Sequence, residues 1–308
     1  MKALRTAFGE ALVEFSNSIP NLVVISCDLQ SATGIKPFFE KFPEKSIEVG
    51  ISEANGVGIA AGLALSGFKP VLTSFGSFLT GKNTEIRISI GYNSANVVLV
   101  GTHGGLIGPD GATQSGIQDL AVMRSIPGIK VFQPSSPLEV REILKYALES
   151  DFPSYIRISR NEVPEIHSKN FEFEEGMLYE IKPGNEVAIF SSGPILHNCL
   201  RAAEELVGEI NVKVVNVPTI KPIKIQSLQS VLHNVKLGIS FEDHLKTAGL
   251  GSALLEKISE ANCNLNFAVE GLDDEFVDSG SPSELESHYK LDSESIKNRI
   301  RELWKEFV

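Results

Sequence analysis

Five short β-branched and apolar runs in the first half of the chain, NLVVISCDL, KPVLTSFG, NVVLVGTH, IKVFQP and PSYIRIS, alternate with stretches whose apolar residues recur at helical spacing. Runs that are apolar on both faces suit strands covered by helices on either side, and strands alternating with helices specify a doubly wound parallel sheet. The helices are expected at the N-terminus (Leu4, Phe8, Leu12 and Phe15 along one stripe), from Glu53, from about Thr80 to Tyr92, from Gln118 and from Leu138. After about Glu162 the sequence turns polar and irregular (NEVPEIHSKNFEFEEG), the composition of a linker crossing the surface. A second α/β series then runs through EVAIFSSGP, NVKVVNVPTIKPI, VKLGISFEDH and NLNFAVEGL to an amphipathic closing helix, SESIKNRIRELWKEF. The expected division is a first doubly wound α/β domain over 1–165, a linker over 166–185, and a second, smaller one over 186–308.

The totals agree with two domains: 308 residues, 42 % hydrophobic and 22 % charged, can bury two α/β cores. A net charge of −11 argues against nucleic acid or an anionic membrane as partner. Cys27, Cys199 and Cys263 are odd in number, widely spaced and in no metal-ligand pattern, and read as reduced and structural. The N-terminus lacks a basic start followed by an unbroken apolar core, and no apolar run approaches the roughly 18 residues of a membrane span, so a cytoplasmic location is expected. There is no repeat and no low-complexity tract.

Glu53 opens the run EANGVGIAAGLALSG, the start of a buried helix with almost no side-chain bulk. Acidic residues at a helix start offset the helix dipole, and many need no further account. Glycine inside a helix, however, costs about 1 kcal/mol relative to alanine, a cost usually offset by close approach of a backbone or ligand. A carboxyl desolvated there could hold or share a proton near neutral pH. Downstream, GTHGGLIGPDGATQSGIQD packs six glycines between Gly101 and Gly116 with His103, Asp110 and Gln114. It matches neither GxxxxGK[ST] nor a clean GxGxxG, so it reads as either plain turns or a site, and a histidine at a strand's carboxyl end favours the site. Phe75 and Phe78 are three apart, a spacing that core packing explains for at least one of them.

The ordered set RTAFGEAL, SCDLQSATG, EVGISEANGVGIAAGLALSGFKPVLTSFGSFL, GTHGGLIGPDGATQSGIQDLAVMRSIPGIKVFQPSS and YIRISR resembles the pyrimidine-binding domain of transketolases. SFEDHLKTAGLGSALLE and GLDDEFVDSGSPSELESHYKLD resemble their C-terminal domain, so the likeness spans essentially the whole chain. It implies a thiamine diphosphate enzyme moving a two-carbon ketol unit between sugars. By this resemblance, Glu53 bonds the pyrimidine ring nitrogen of the cofactor and promotes the imino tautomer that deprotonates the thiazolium carbon. Phe78 stacks on the aminopyrimidine and Phe75 lines the same pocket. Asp28 lies near the cofactor at a subunit contact, His103 near the reacting oxygens of the substrate, Asp110 at a sugar hydroxyl, and Arg160 at a sugar phosphate.

Two departures matter. The family's metal-diphosphate motif, GDG followed downstream by Asn-Asn, has no counterpart here, the nearest string being PDGATQ in the glycine loop. The resemblance therefore implies the second half of a split transketolase, with diphosphate and Mg²⁺ held mainly by a separate N-terminal subunit in an assembly of two plus two. The family's DGxTHQxIE also reads DGATQSGIQ, which puts Gln114 in place of a substrate-facing histidine and Gln118 in place of a glutamate. Glutamine keeps hydrogen bonding but cannot carry a proton, so a shifted sugar substrate is expected. The competing readings are the beta subunit of a 2-oxo acid dehydrogenase, a deoxyxylulose phosphate synthase, and a non-catalytic scaffold homologue.

Overall fold

The computed structural model describes residues 1–307. Its larger sheet has seven strands, in spatial order Thr219–Lys221, Lys130–Phe132, Ser154–Ile158, Val98–Thr102, Lys69–Phe75, Leu22–Ser26 and Ser46–Glu48. All pairings are parallel except at the first edge, where Thr219–Lys221 runs against Lys130–Phe132. One face is covered by helices Leu4–Phe15 and Pro137–Glu149, which bring Phe8, Leu12, Ile143 and Leu144 onto Val24, Val71 and Val100. The other packs helix Glu53–Leu65 and helix Asp119–Ser125 onto Ile25, Leu72 and Leu99. Burial on both faces is why these strands read as unbroken apolar runs.

The second sheet has the order Asn266–Leu272, Leu237–Leu245, Val187–Ser191, Val212–Asn216 and Tyr179–Lys182, with only the last strand antiparallel. The closing helix, Ser293–Phe307, buries Ile296, Ile300 and Leu303. Among the described residues, no helix is long and apolar enough to cross a membrane.

Three features refine the expected layout. The linker 166–185 is fastened at several points: Tyr179–Lys182 joins the second sheet, His167 Nε2 lies 2.6 Å from the buried Glu139, and Phe173 packs edge-on against Phe132. The helix expected over Thr80–Tyr92 begins later and changes type. A short helix, Gly76–Thr80, stops where Thr80 Oγ1 bonds back to Ser77 O and Gly81 follows. Helix resumes at Asn83–Glu85 and runs directly into Ile86–Tyr92, a π-helix whose wide last turn is closed by Asn93 Nδ2 on Ile88 O at 3.1 Å. The domains also share a sheet, because Thr219–Lys221 from the C-terminal half supplies an edge strand to the larger one.

Candidate active site

Every residue singled out in the first domain sits at or beyond the carboxyl ends of the parallel strands, where open α/β sheets place their sites. Glu53 starts its helix and is 7 % exposed. Ser74 Oγ, at the end of Lys69–Phe75, donates to Glu53 Oε1 at 2.9 Å. The other oxygen, Oε2, takes no hydrogen bond among the described residues. The helix behind it is small for two reasons. A Cβ on Gly56 would press on Leu72 and Cys27, so this glycine lets the helix sit on the sheet, whereas Gly58 and Gly62 face open space. The helix is therefore buried on one face only. Burial, with the Glu53 and Glu48 carboxyls nearby, pushes the Cys27 thiol up to about 12, so it stays protonated.

Phe75, Phe78 and His103 form a ladder of rings. Phe75 lies in the middle, 5.1 Å from Phe78 and 3.8 Å from His103 between centroids. Phe75 is buried between the two, while Phe78 is half-buried at the outer end. His103 has φ +59°, is buried, and places Nδ1 3.1 Å from Thr102 Oγ1. Burial, then the positive charges of Arg5 and Arg160, push its pKa down to about 4. At neutral pH the ring is uncharged, able to accept or donate a hydrogen bond but carrying no spare proton.

At the mouth, Arg160 Nη1 pairs with Asp110 Oδ2 at 2.5 Å, both side chains being more than a third exposed. Arg5, on the first helix, is a neighbour that the motif RTAFGEAL contains but does not single out. Burial and the repulsion of Arg160 hold its pKa below the usual guanidinium value. Two guanidiniums against one carboxylate leave a net positive charge suited to an anion. Gln114 is half-buried. Its backbone O accepts from Ser77 Oγ at 3.0 Å, and its side chain makes only a long contact, 3.4 Å, to Thr113.

Asp28 is not joined to these groups by any hydrogen bond or ion pair among the described residues. It is exposed at φ +62°, and its backbone N donates to Glu48 Oε1 at 2.7 Å. The same oxygen accepts Gly50 N at 3.0 Å, and Gln30 Nε2 donates to Oε2 at 2.9 Å. Glu48, also unsuspected from sequence, thus clamps the Asp28 loop to the loop leading into Glu53. Partial desolvation alone would raise its pKa, but the bonds from Gln30, Asp28, Ser26 and Gly50 outweigh it and hold the carboxyl below the usual range. A depressed carboxyl pKa contributes stability above its unfolded-state value, and that contribution disappears as pH falls through the folded-state value. Glu48→Gln should cost about 1 kcal/mol at pH 7, modest because the site is exposed, and nothing once the wild-type carboxyl is protonated. Denaturation at pH 7 and at pH 3 checks this; an equal loss at both would contradict it.

The family model for the transketolase pyrimidine-binding domain matches residues 1–165, and that for the transketolase C-terminal domain matches 176–296. The chain belongs to the transketolase family. It is 35 % identical over 280 residues to an apulose-4-phosphate transketolase subunit from Actinobacillus succinogenes, covering 90 % of each chain. It is 31 % identical to the 6-deoxy-6-sulfo-D-fructose transketolase subunit SqwH of a Clostridium species, covering 97 % of this chain and 94 % of that one. A solved structure described as a split-gene transketolase, an inactive β4 tetramer, superposes with a TM-score of 0.92 at 34 % identity over the whole of both chains. A 1-deoxy-D-xylulose-5-phosphate synthase of Cupriavidus metallidurans is 30 % identical, but this chain spans only 48 % of it. The relatives that match end to end are transketolase subunits, which favours that reading over the synthase.

The groups present suit the pyrimidine end of thiamine diphosphate: a buried carboxyl with one oxygen uncommitted, and a half-buried aromatic ring, both at the carboxyl ends of the strands. Among the described residues, no group of three or more His, Cys, Asp or Glu side chains is placed to hold a metal ion. Cavities of about 510 and 480 Å³ lie elsewhere, one between the first helix and Ser31–Pro37 and the other on the C-terminal domain, and neither is lined by Glu53 or His103.

Proposed function

We propose that this chain is the C-terminal subunit of a two-subunit transketolase and turns over only with a partner carrying the diphosphate-binding domain. The observation that carries this is the half-site itself: the buried Glu53 carboxyl held by Ser74 and the ring ladder of Phe78, Phe75 and His103, both at the carboxyl ends of the strands, suit one end of the cofactor, and no cluster of three or more His, Cys, Asp or Glu side chains is placed to hold Mg²⁺ among the described residues. A β4 relative described as inactive points the same way. The assembly we favour holds two copies of each subunit, with Asp28 at the contact between them, in the cytoplasm, where the three unpaired cysteines remain reduced.

Thiamine diphosphate, when bound, supplies the carbanion chemistry that cleaves and forms the ketose carbon–carbon bond. Glu53, its carboxyl fixed by Ser74, would bond the pyrimidine ring nitrogen, giving a proton to it and taking it back. Phe78 supplies the stacking face. Neutral His103 donates to or accepts from substrate oxygen without adding charge, Asp110 takes a sugar hydroxyl, and Arg160 with Arg5 binds a phosphate. Gln114 offers a hydrogen bond where a proton carrier is expected, which suits a specialised ketose, as the names of the apulose and sulfofructose relatives suggest.

The test is reconstitution with the partner subunit and a panel of ketoses: xylulose 5-phosphate, apulose 4-phosphate and 6-deoxy-6-sulfofructose. Ketol transfer should require both subunits and favour a specialised donor, and Gln114→His should shift activity towards xylulose 5-phosphate. Tight, Mg²⁺-dependent binding of thiamine diphosphate to the chain alone, measured by calorimetry, would sink the split-site reading. Unchanged preference in Gln114→His would remove the specialised-substrate part.

A further inference from the structure

The back of the glycine loop rests on a buried ionic cluster that joins the two domains. Arg157, on strand Ser154–Ile158, is 1 % exposed and donates through Nε to both oxygens of Asp119, at 3.0 and 3.2 Å. Its Nη1 donates to Asp243 Oδ1 at 2.6 Å and its Nη2 to Asp243 O at 3.0 Å, Asp243 lying on strand Leu237–Leu245 of the second sheet. Tyr155 completes the cluster by donating to Asp119 Oδ2 at 2.6 Å.

The same guanidinium reaches the loop. Arg157 Nη2 donates to Gly116 O at 2.7 Å, and that carbonyl also accepts Gly105 N at 2.9 Å. Gly116 N in turn donates to His103 O at 2.9 Å. A Cβ at Gly104 would fall 2.7 Å from Arg157 Cγ, and one at Gly105 would fall 1.9 Å from Asp243 Oδ2. These glycines therefore bring the loop down onto the charges; they do not form a phosphate cradle. The strand beyond Asp243 is stitched to the loop's far end, where Leu245 N donates to Ile117 O at 2.9 Å. His103 at φ +59° holds a left-handed conformation that a non-glycine residue keeps only when its surroundings impose it.

We propose that the C-terminal domain sets the geometry of His103 through Asp243, with Arg157 as the positioning residue between them. The proposal rests on the reading of His103 as the substrate-facing histidine, but the contact chain does not. If the cluster only stabilised the fold, its loss would lower stability and leave a folded His103 unchanged. If it positions the loop, His103 must respond in protein that is still folded.

The experiment follows the His103 ring by NMR titration in the full-length chain, wild type against Asp243→Ala. Wild-type His103 faces Arg5, Arg160, Asp110 and Thr102 and should titrate at about 4. In Asp243→Ala, water should reach the loosened ring and move the midpoint towards the ordinary value of about 6.5. With the partner subunit, kcat should fall about 10²-fold, as expected of a misplaced group, with a smaller change in KM. Asp243→Asn, which keeps size and an acceptor, should move His103 the same way by less. A variant that melts early yet keeps the wild-type His103 midpoint would overturn the proposal. Should Asp243→Ala not fold, an unmoved midpoint in Asp243→Asn would do the same. A shifted His103 in a chain that supports no ketol transfer upholds the coupling and sinks only the activity.

Discussion

Glu53→Gln should leave the chain folded and lower the kcat of the reconstituted enzyme by about 10²–10⁴-fold, the range for a general acid–base group. Glutamine has the same shape, and its carbonyl oxygen can still accept from Ser74 Oγ, so the side chain stays where that 2.9 Å bond puts it. What disappears is the oxygen that can hold and release a proton, since an amide nitrogen is a donor only. The structural cost is small by comparison: removing a negative charge from a helix start forfeits about 0.3–1 kcal/mol. Steady-state kinetics beside a thermal melt separates the two effects. A folded variant with a near-wild-type rate would return Glu53 to the role of offsetting the helix dipole.

How much of this was legible depended on how local each signal is. The central strands could be read because each carries its own apolar run. The edge strands Ser46–Glu48, Tyr179–Lys182 and Thr219–Lys221 could not, since a run as short as Ser-Ile-Glu has no pattern and is fixed by the neighbour it pairs with. The expected helix over 80–92 forms only from Asn83, because Gly81 and a side chain bonding back to its own backbone end the preceding turn at Thr80. In the site, Glu53, Phe78, His103, Asp110 and Arg160 stand in motifs whose order was visible. Arg5, Glu48 and Ser74 stand in the same motifs without being singled out, because they act through partners brought close only by folding. The glycines of the loop were visible, but the reason for Gly105 was not, because it lies in Asp243, far along the chain in the other domain.

Arg157→Met should be strongly destabilising, costing about 3–5 kcal/mol, the range for breaking a buried ion pair by removing one partner. The loss is large because of what remains. Asp119 is fully buried and Asp243 is 4 % exposed at its side chain, and without the guanidinium Asp119 keeps the Tyr155 hydroxyl while neither carboxylate keeps a positive partner. The carbonyl of Gly116 loses its charged donor too. Against a typical total stability of about 5–15 kcal/mol, the folded population would shrink severely. Arg157→Lys should recover only part, because one ammonium cannot reproduce a fork that serves Asp119, Asp243 and Gly116 at once. Adding Asp119→Asn and Asp243→Asn to Arg157→Met removes the stranded charges and should restore much of the loss, so the triple variant should be more stable than the single one. Urea denaturation of the full-length chain measures all three. An Arg157→Met protein within about 1 kcal/mol of wild type, or a triple variant weaker than the single, would mean that the buried charges are not what the arginine holds in place.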